Sequence, residues 1–196
     1  KSPLPLQAWG VCTQKGIRLY LHVFQWPADG KLVVGGLETV PEKAWLLGDT
    51  SRKELSACKL KTPDIEITLP KVPVDPVNSV IVLEINQAVK ADSLRLLSSK
   101  TDNHLLAFDA ELHGKGFSYG DGKKDRYYVD GWTKTDQSVS WDFRLNDAVN
   151  AKMSITYQVD QTSGGKVVVW VDNQKFPMEI KPANGKSETP SFDLGT

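Results

Sequence analysis

Apolar and polar residues alternate with a period of two through most of this chain, the pattern of β-strands that put one face in a core and the other toward solvent. Ile17, Leu19, Leu21 and Val23 share one face of the first long run, while Tyr20, His22, Phe24 and Trp26 share the other. Both faces are apolar. An antiparallel sheet commonly wets one of its faces, so a partner is expected to dock on the second face of this strand. Pro27 and Ala28-Asp-Gly30 then predict a tight turn, with 32–34 as the return strand. Further strands are expected over 43–47, 57–60, 65–69 and 80–85, with Lys71-Val-Pro-Val-Asp-Pro76 as a break between the last two. Strands of this length and number make a small sandwich or open barrel.

From 86 to 99 the regularity weakens, which places an expected domain junction near residue 87 and divides the chain into 1–87 and 88–196. A strand over 105–112 and a long polar loop through Gly120-Asp-Gly-Lys-Lys-Asp125 open the second part, and loops of that length are commonly functional. Val139, Trp141, Phe143 and Leu145 alternate with polar residues and are expected to face a core; Met153, Ile155, Tyr157 and Val159 repeat the scheme. Turn chemistry at 163–165 and 172–174 brackets a strand over 167–171, and Phe176, Met178 and Ile180 return beside it. The expected class is all-β, with two β-sandwich, jelly-roll-like domains in tandem.

Composition narrows the chemistry. Lys plus Arg and Asp plus Glu number 24 each, so no global field draws nucleic acid or an anionic membrane, and a neutral partner such as a sugar fits better. No apolar run approaches the roughly 20 residues of a membrane helix, so neither membrane insertion nor a nucleic-acid partner is expected and the chain reads as soluble. Cys12 and Cys58 fall on predicted strands and read as buried thiols, with a disulfide as the alternative; a four-cysteine zinc site is impossible. The three histidines are far apart, and there is no phosphate loop or dinucleotide fingerprint. No cofactor is expected, calcium being the alternative. The chain begins at Lys1 rather than Met and stops after Ser191-Phe-Asp-Leu-Gly-Thr196, which reads as a fragment of a longer protein.

Leu19-Tyr-Leu-His-Val-Phe-Gln-Trp-Pro27, preceded by Trp9-Gly-Val-Cys-Thr13, resembles the strand that opens the C-terminal all-β domain of alpha-L-fucosidases. Lys43-Ala-Trp-Leu-Leu47 and Val80-Ile-Val-Leu-Glu-Ile85 are similar to later strands of that domain, so the resemblance covers roughly 9–85; Gln25 stands where the family more often has Asp. Phe108-Asp-Ala-Glu-Leu-His-Gly114, Val129-Asp-Gly-Trp-Thr133, Ser138-Val-Ser-Trp-Asp-Phe143 and Gly165-Lys-Val-Val-Val-Trp-Val-Asp172 give a looser likeness, over roughly 104–196, to family 6 carbohydrate-binding modules. The resemblance implies a glycoside hydrolase parent whose catalytic (β/α)₈ barrel lies upstream, and a periplasmic or extracellular location. Such a barrel takes about 250 residues of alternating strands and helices, a pattern this chain does not carry, so no catalytic residue and no hydrolase activity are expected of it alone.

Four candidate sites follow. Tyr20, His22, Phe24 and Trp26 would form an interface with the upstream barrel of the same parent chain. Tyr127, Tyr128, Asp130 and Trp132, with Trp170 and Asn173 from the later hairpin, offer rings and polar groups for stacking on and fixing a glycan; the competing reading packs Tyr128 and Trp132 at a core edge. Asp109 and Glu111, two apart on one predicted strand face, offer oxygen ligands to calcium or form a solvated face. His22 reads as a hydrogen-bonded structural residue, His113 as a turn contact and His104 as exposed. The function implied is a non-catalytic C-terminal portion of a fucosidase-like enzyme that supports the barrel and binds glycans; the alternative is a free-standing β-sandwich that binds a protein or cell surface.

Overall fold

The structure, a computed structural model, describes residues 2–123 and 127–195. Of the expected loop over 120–125, Lys124 and Asp125 lie outside the described residues. The chain is all-β, its one helical segment among the described residues being a 3₁₀ turn, Ala107–Asp109.

Seven strands build the first part: β1 (Gly10–Lys15), β2 (Arg18–Val23), β3 (Lys31–Val34), β4 (Lys43–Leu46), β5 (Ala57–Lys59), β6 (Ile65–Thr68) and β7 (Ser79–Glu84). They form two antiparallel sheets, ordered β1-β2-β7-β4 and β3-β6-β5. Alternation decides which side chains meet. Leu19, Leu21, Val23, Ile81 and Leu83 of the first sheet join Leu32, Val34, Ile65 and Ile67 of the second in one cluster, none more than 2% exposed. Each such side chain contributes about 1.5–3 kcal/mol on full burial.

The hairpin expected around Ala28-Asp-Gly30 is not formed. β2 pairs with β1 and β7, whereas β3 pairs with β6, so 24–30 carry the chain from one sheet to the other. The cause is local: the Trp9 carbonyl accepts from the amides of both Phe24 (2.9 Å) and Gln25 (3.1 Å), which ends β2 at Val23. Trp26 is thereby released from the strand's alternation. Its ring packs against the core, and its Nε1 donates to the Pro70 carbonyl at 3.1 Å.

After β7 come β8 (Arg95–Leu96), the 3₁₀ turn, β9 (Glu111–His113), β10 (Ser118–Tyr119), β11 (Val129–Asp130), β12 (Ser138–Ser140) and β13 (Phe143–Arg144). These strands pair only in twos: β8 with β13 in parallel, β9 with β12 and β10 with β11 antiparallel. They form no second sandwich among the described residues, and the expected inward set is only half-buried at Val139, Trp141 and Phe143, with Leu145 exposed. Compact units divide the chain at 1–146 and 147–196, not at 87 and 88.

Val89 packs against the core of the first sandwich, and hydrogen bonds add further ties between 88–146 and that sandwich. Gly36 accepts from the Asp92 amide at 2.9 Å, Glu38 donates to Lys90 at 3.0 Å, and the Lys90 amide donates to Thr39 Oγ1 at 2.8 Å. The strongest tie is Asp64, whose side chain is fully buried. Its carboxylate accepts from Arg144 through both Nη1 (3.1 Å) and Nη2, from Asn146 Nδ2 (2.8 Å), from Thr62 Oγ1 (2.6 Å) and from the Gly36 amide (2.8 Å). Gly36 is needed at that point: its φ is +78°, and a Cβ there would lie 2.6 Å from the Asp92 carbonyl oxygen.

The second unit contains β14 (Ala151–Ser154), β15 (Tyr157–Gln158), β16 (Gly165–Val171), β17 (Gln174–Ile180), β18 (Ser187–Glu188) and β19 (Ser191–Gly195). They pair as β14 with β19, β15 with β18 and β16 with β17. The expected alternation at Met153, Ile155, Tyr157 and Val159 is present, each half-buried beside exposed neighbours. Pro177 sits inside β17, which a two-stranded ribbon tolerates because both strands are edges. Of the two cysteines, both free, Cys12 is buried and Cys58 exposed, the latter against expectation.

Burial alone would raise the Asp64 carboxyl, but the hydrogen bonds from Arg144, Thr62, Asn146 and Gly36 outweigh it and hold the pKa at about 2. A carboxyl depressed in the folded state stabilises above its ordinary value and loses that contribution as pH falls through the folded value. Between about pH 4 and pH 2 the protein should therefore lose roughly 2 kcal/mol through this residue. Denaturant unfolding across that range should show a shallower fall in Asp64→Asn than in the parent, and equal slopes would remove Asp64 as the cause.

Candidate functional site

Two clusters in the first unit gather some of the residues singled out from the sequence. The first is the outer face of the β1-β2-β7-β4 sheet. Because Cys12, Leu21, Ile81 and Leu46 point into the core, their neighbours point out. Register sets Thr13, Tyr20, Val82 and Trp45 in one row across the sheet, and Val11, His22 and Val80 in the next. Val82 is only 1% exposed although it lies on this outer face, and Trp45 beside it is 9% exposed. Arg18 closes one end: its guanidinium lies 5.5 Å from the centre of the Trp45 ring and donates through Nε and Nη2 to Glu84 Oε2, at 3.0 and 2.8 Å. This is an apolar strip under a charged rim. Val11 and Leu47 flank it and are 45% and 55% exposed.

Of the four residues expected here, Tyr20 and His22 lie on this face and are half-buried. His22 Nε2 is 3.5 Å from Thr13 Oγ1, the structural contact expected of it. Phe24 lies beyond the end of β2 and is exposed, and Trp26 belongs to the core side. Alternation alone leaves Trp45 ambiguous, and Val82 and Arg18 carry no site signal of their own, although Lys43-Ala-Trp-Leu and Val80-Ile-Val-Leu carry apolar residues on both faces just as β2 does.

The second cluster is aromatic. Phe108 is flanked by Tyr119, with ring centres 5.4 Å apart, and by Tyr127, edge-on at 5.5 Å. The three rings are exposed, as is Tyr128. Trp132 stands in a different pair, edge-on to Phe117 at 4.9 Å, and its Nε1 donates to the Val129 carbonyl at 3.0 Å. Asp130 is spent on its own turn, its Oδ1 accepting from the Gly131 amide. Gly131 has φ +87° and passes so close to the Gly116 carbonyl oxygen that a Cβ would lie 2.2 Å from it.

Gln137, buried among exposed neighbours, holds this loop. Its Oε1 accepts from the amides of Thr133 (2.7 Å) and Lys134 (2.8 Å), and its Nε2 donates to Lys115 (3.0 Å) and Gly131 (2.8 Å). That uses both donors and both acceptor positions of the side-chain amide. Phe108, Tyr119 and Gln137 were not read from the sequence; only Tyr119, immediately before the long loop, gave a local signal.

Asp109 and Glu111 do not share a strand face. Asp109 ends the 3₁₀ turn with its carboxylate toward Arg95, while Glu111 begins β9 and is exposed. Among the described residues no group of three or more His, Cys, Asp or Glu side chains is placed to hold a metal ion. His113 Nε2 lies 2.8 Å from Ser140 Oγ across the β9-β12 pair, and His104 is exposed. Trp141 donates from Nε1 to the Leu106 carbonyl at 2.9 Å instead of sitting in a core. Trp170 and Asn173 belong to the second unit. There Trp170 is 62% exposed with the Lys175 ammonium 5.4 Å from its ring centre, and Asn173 sits in the turn between β16 and β17.

No protein-family model matches the chain, and no curated protein matches it. Among solved structures it is similar to the alpha-L-fucosidase from Vibrio sp. strain EJY3, at 14% identity and a TM-score of 0.48, over 95% of this chain and 33% of that one. The chain thus spans about a third of that protein, and a likeness at this level carries no argument for function.

Proposed function

We propose that this chain is the non-catalytic C-terminal portion of a glycoside hydrolase similar to alpha-L-fucosidases, and that the outer face of its first sheet seats on the catalytic barrel of the same parent chain. The carrying observation is that face: Val82, Trp45 and Tyr20 form an apolar row under the Arg18–Glu84 pair, with Val11 and Leu47 exposed beside it. Apolar strips rimmed by polar groups mark protein contacts. The run of residues 19–27 supports the same reading through its resemblance to the strand that follows a fucosidase barrel. The parent would work in the periplasm or outside the cell.

The test is Val11→Lys with Leu47→Lys, both at exposed positions, so the stability of this chain alone should move by no more than about 0.5 kcal/mol. In the polypeptide extended upstream through its preceding domain, the same pair should lower the melting temperature and the turnover of a nitrophenyl fucoside. Unchanged melting and turnover in the extended protein would refute the seating.

The exposed rings of Phe108, Tyr119 and Tyr127 favour a second role, contact with glycan. Ring faces stack on sugar C–H groups without a large ordering cost. Calorimetric titration with fucosylated oligosaccharides should give millimolar binding that Tyr127→Ala weakens at least threefold. The absence of heat at those concentrations would leave the rings a packing cluster.

A further inference from the structure

In the second unit β16 pairs with β17 and with no other strand among the described residues, and no main-chain hydrogen bond from a turn or loop reaches it there. Pro177 stands opposite Val168 and has no N–H to donate, so that pair turns its main-chain groups away from the shared ladder. The two-residue turn at 172–173 sets the same phase from the other end, since its flanking pair, Val171 and Gln174, closes the ladder. Lys166, Val168 and Trp170 therefore aim their N–H and C=O groups outward from β16. On the outer side of β17 the corresponding donor is missing at Pro177.

One edge of the ribbon is thus blocked, and the other is open. Open edges are commonly protected by charge, proline or a bulge. Beyond Lys166 at its start, β16 carries none of these: Val167 to Val171 are all apolar, and Val167, Val168 and Trp170 are exposed. An edge of this kind takes up an extended strand through main-chain bonds, with side chains choosing the partner.

The side chains of β16 are complementary to themselves. In an antiparallel pairing of β16 with β16 of a second copy, centred on Val169, Val168 lies opposite Trp170 of the second copy, and each such pair exchanges both main-chain bonds. The same register sets Lys166 opposite Asp172 of the second copy, and neither residue has an ion-pair partner in its own chain among the described residues. Centring on Val168 instead would bring Lys166 onto a Trp170 ring that already has the Lys175 ammonium 5.4 Å from its centre. Centring on Trp170 would set Val168 against Asp172. We propose that β16 is a dimerisation edge, through which two copies of this chain join their ribbons into one continuous antiparallel sheet about a two-fold axis at Val169. Pro177 on both outer edges ends the sheet, so association closes at the dimer. The proposal stands on the second unit alone and holds whether or not the chain serves a fucosidase.

Sedimentation equilibrium of the full chain from about 1 to 500 µM, a range that brackets micromolar affinity, should show monomer passing to dimer and nothing larger. Val168→Lys, at an exposed position, and Lys166→Glu, which sets carboxylates against one another, should each weaken the dimer about tenfold or more. Adding Asp172→Asn to Lys166→Glu should recover most of that loss, asparagine tolerating the φ of +49° at this turn position. The charge variants decide alone if Val168→Lys fails to fold. With the exposed Cys58 replaced by serine, Val169→Cys should oxidise to a covalent dimer because the axis sets the two thiols directly opposite, and Val167→Cys should not. A chain that stays monomeric throughout overturns the proposal and leaves the edge to a strand of another protein. Open assemblies larger than a dimer, a dimer indifferent to Val168→Lys and Lys166→Glu, or cross-linking at Val167→Cys as efficient as at Val169→Cys would overturn it equally.

Discussion

One buried carboxylate organises the first unit. Asp64 stands immediately before β6 and receives hydrogen bonds from the segment after β3, from its own turn and from Arg144 and Asn146, 80 and 82 positions away in the chain. A buried charge is costly unless paired and hydrogen-bonded on every side, so this group stabilises only while Arg144 and Asn146 stay in place. Asp92, 3.5 Å from Arg144 Nε, adds a second carboxylate to the same guanidinium. Because Arg144 lies on β13, which pairs with β8, the clasp also fixes the strand that carries Arg95. The sandwich and the segment 88–146 are therefore one unit, joined through this polar clasp and through Val89, which packs against the apolar core.

The two sides of the β1-β2-β7-β4 sheet do different work. Its inner side meets the second sheet and provides the core, while its outer side buries Val82 between Tyr20 and Trp45, with the Arg18–Glu84 pair at one end. A face of that composition is suited to a protein neighbour. Gln137 ties four backbone groups, at 115, 131, 133 and 134, which flank the β10-β11 pair that carries Tyr119.

Much of the first seventy or so residues after Trp9 was legible because period-two alternation there coincides with deep burial, and the expected strands at 32–34, 43–47, 57–60, 65–69 and 80–85 match β3 to β7 closely. The same alternation is present from Met153 to Val159 but leads to half-burial, since a unit of 50 residues made of paired strands has little interior to offer. Alternation reports facing, not depth. Trp141 and Leu145 show the cost of equating the two. The hairpin after Trp26 was misread because the Asp-Gly turn is genuine but the strands on either side of it belong to different sheets, a choice made by the Trp9 carbonyl. Asp64, Arg95 and Arg144 gave no local sign, one acid and two bases among 24 of each, because what distinguishes them is a partner distant in sequence. Near the expected domain junction at 87 composition loosens, while the long-range polar clasp that crosses it leaves no trace in any window of sequence.

If the clasp at Asp64 defines the unit, residues 1–87 are not a complete folding unit by themselves. Thermal and denaturant unfolding of 1–87 and of 1–146 would decide it, with circular dichroism as the readout. Loss of Arg144 and Asn146 leaves Asp64 buried and under-paired, so 1–87 should be less stable than 1–146 by about 3–5 kcal/mol, or fail to fold cooperatively. Equal stability of the two would contradict the clasp as the constraint that defines the unit.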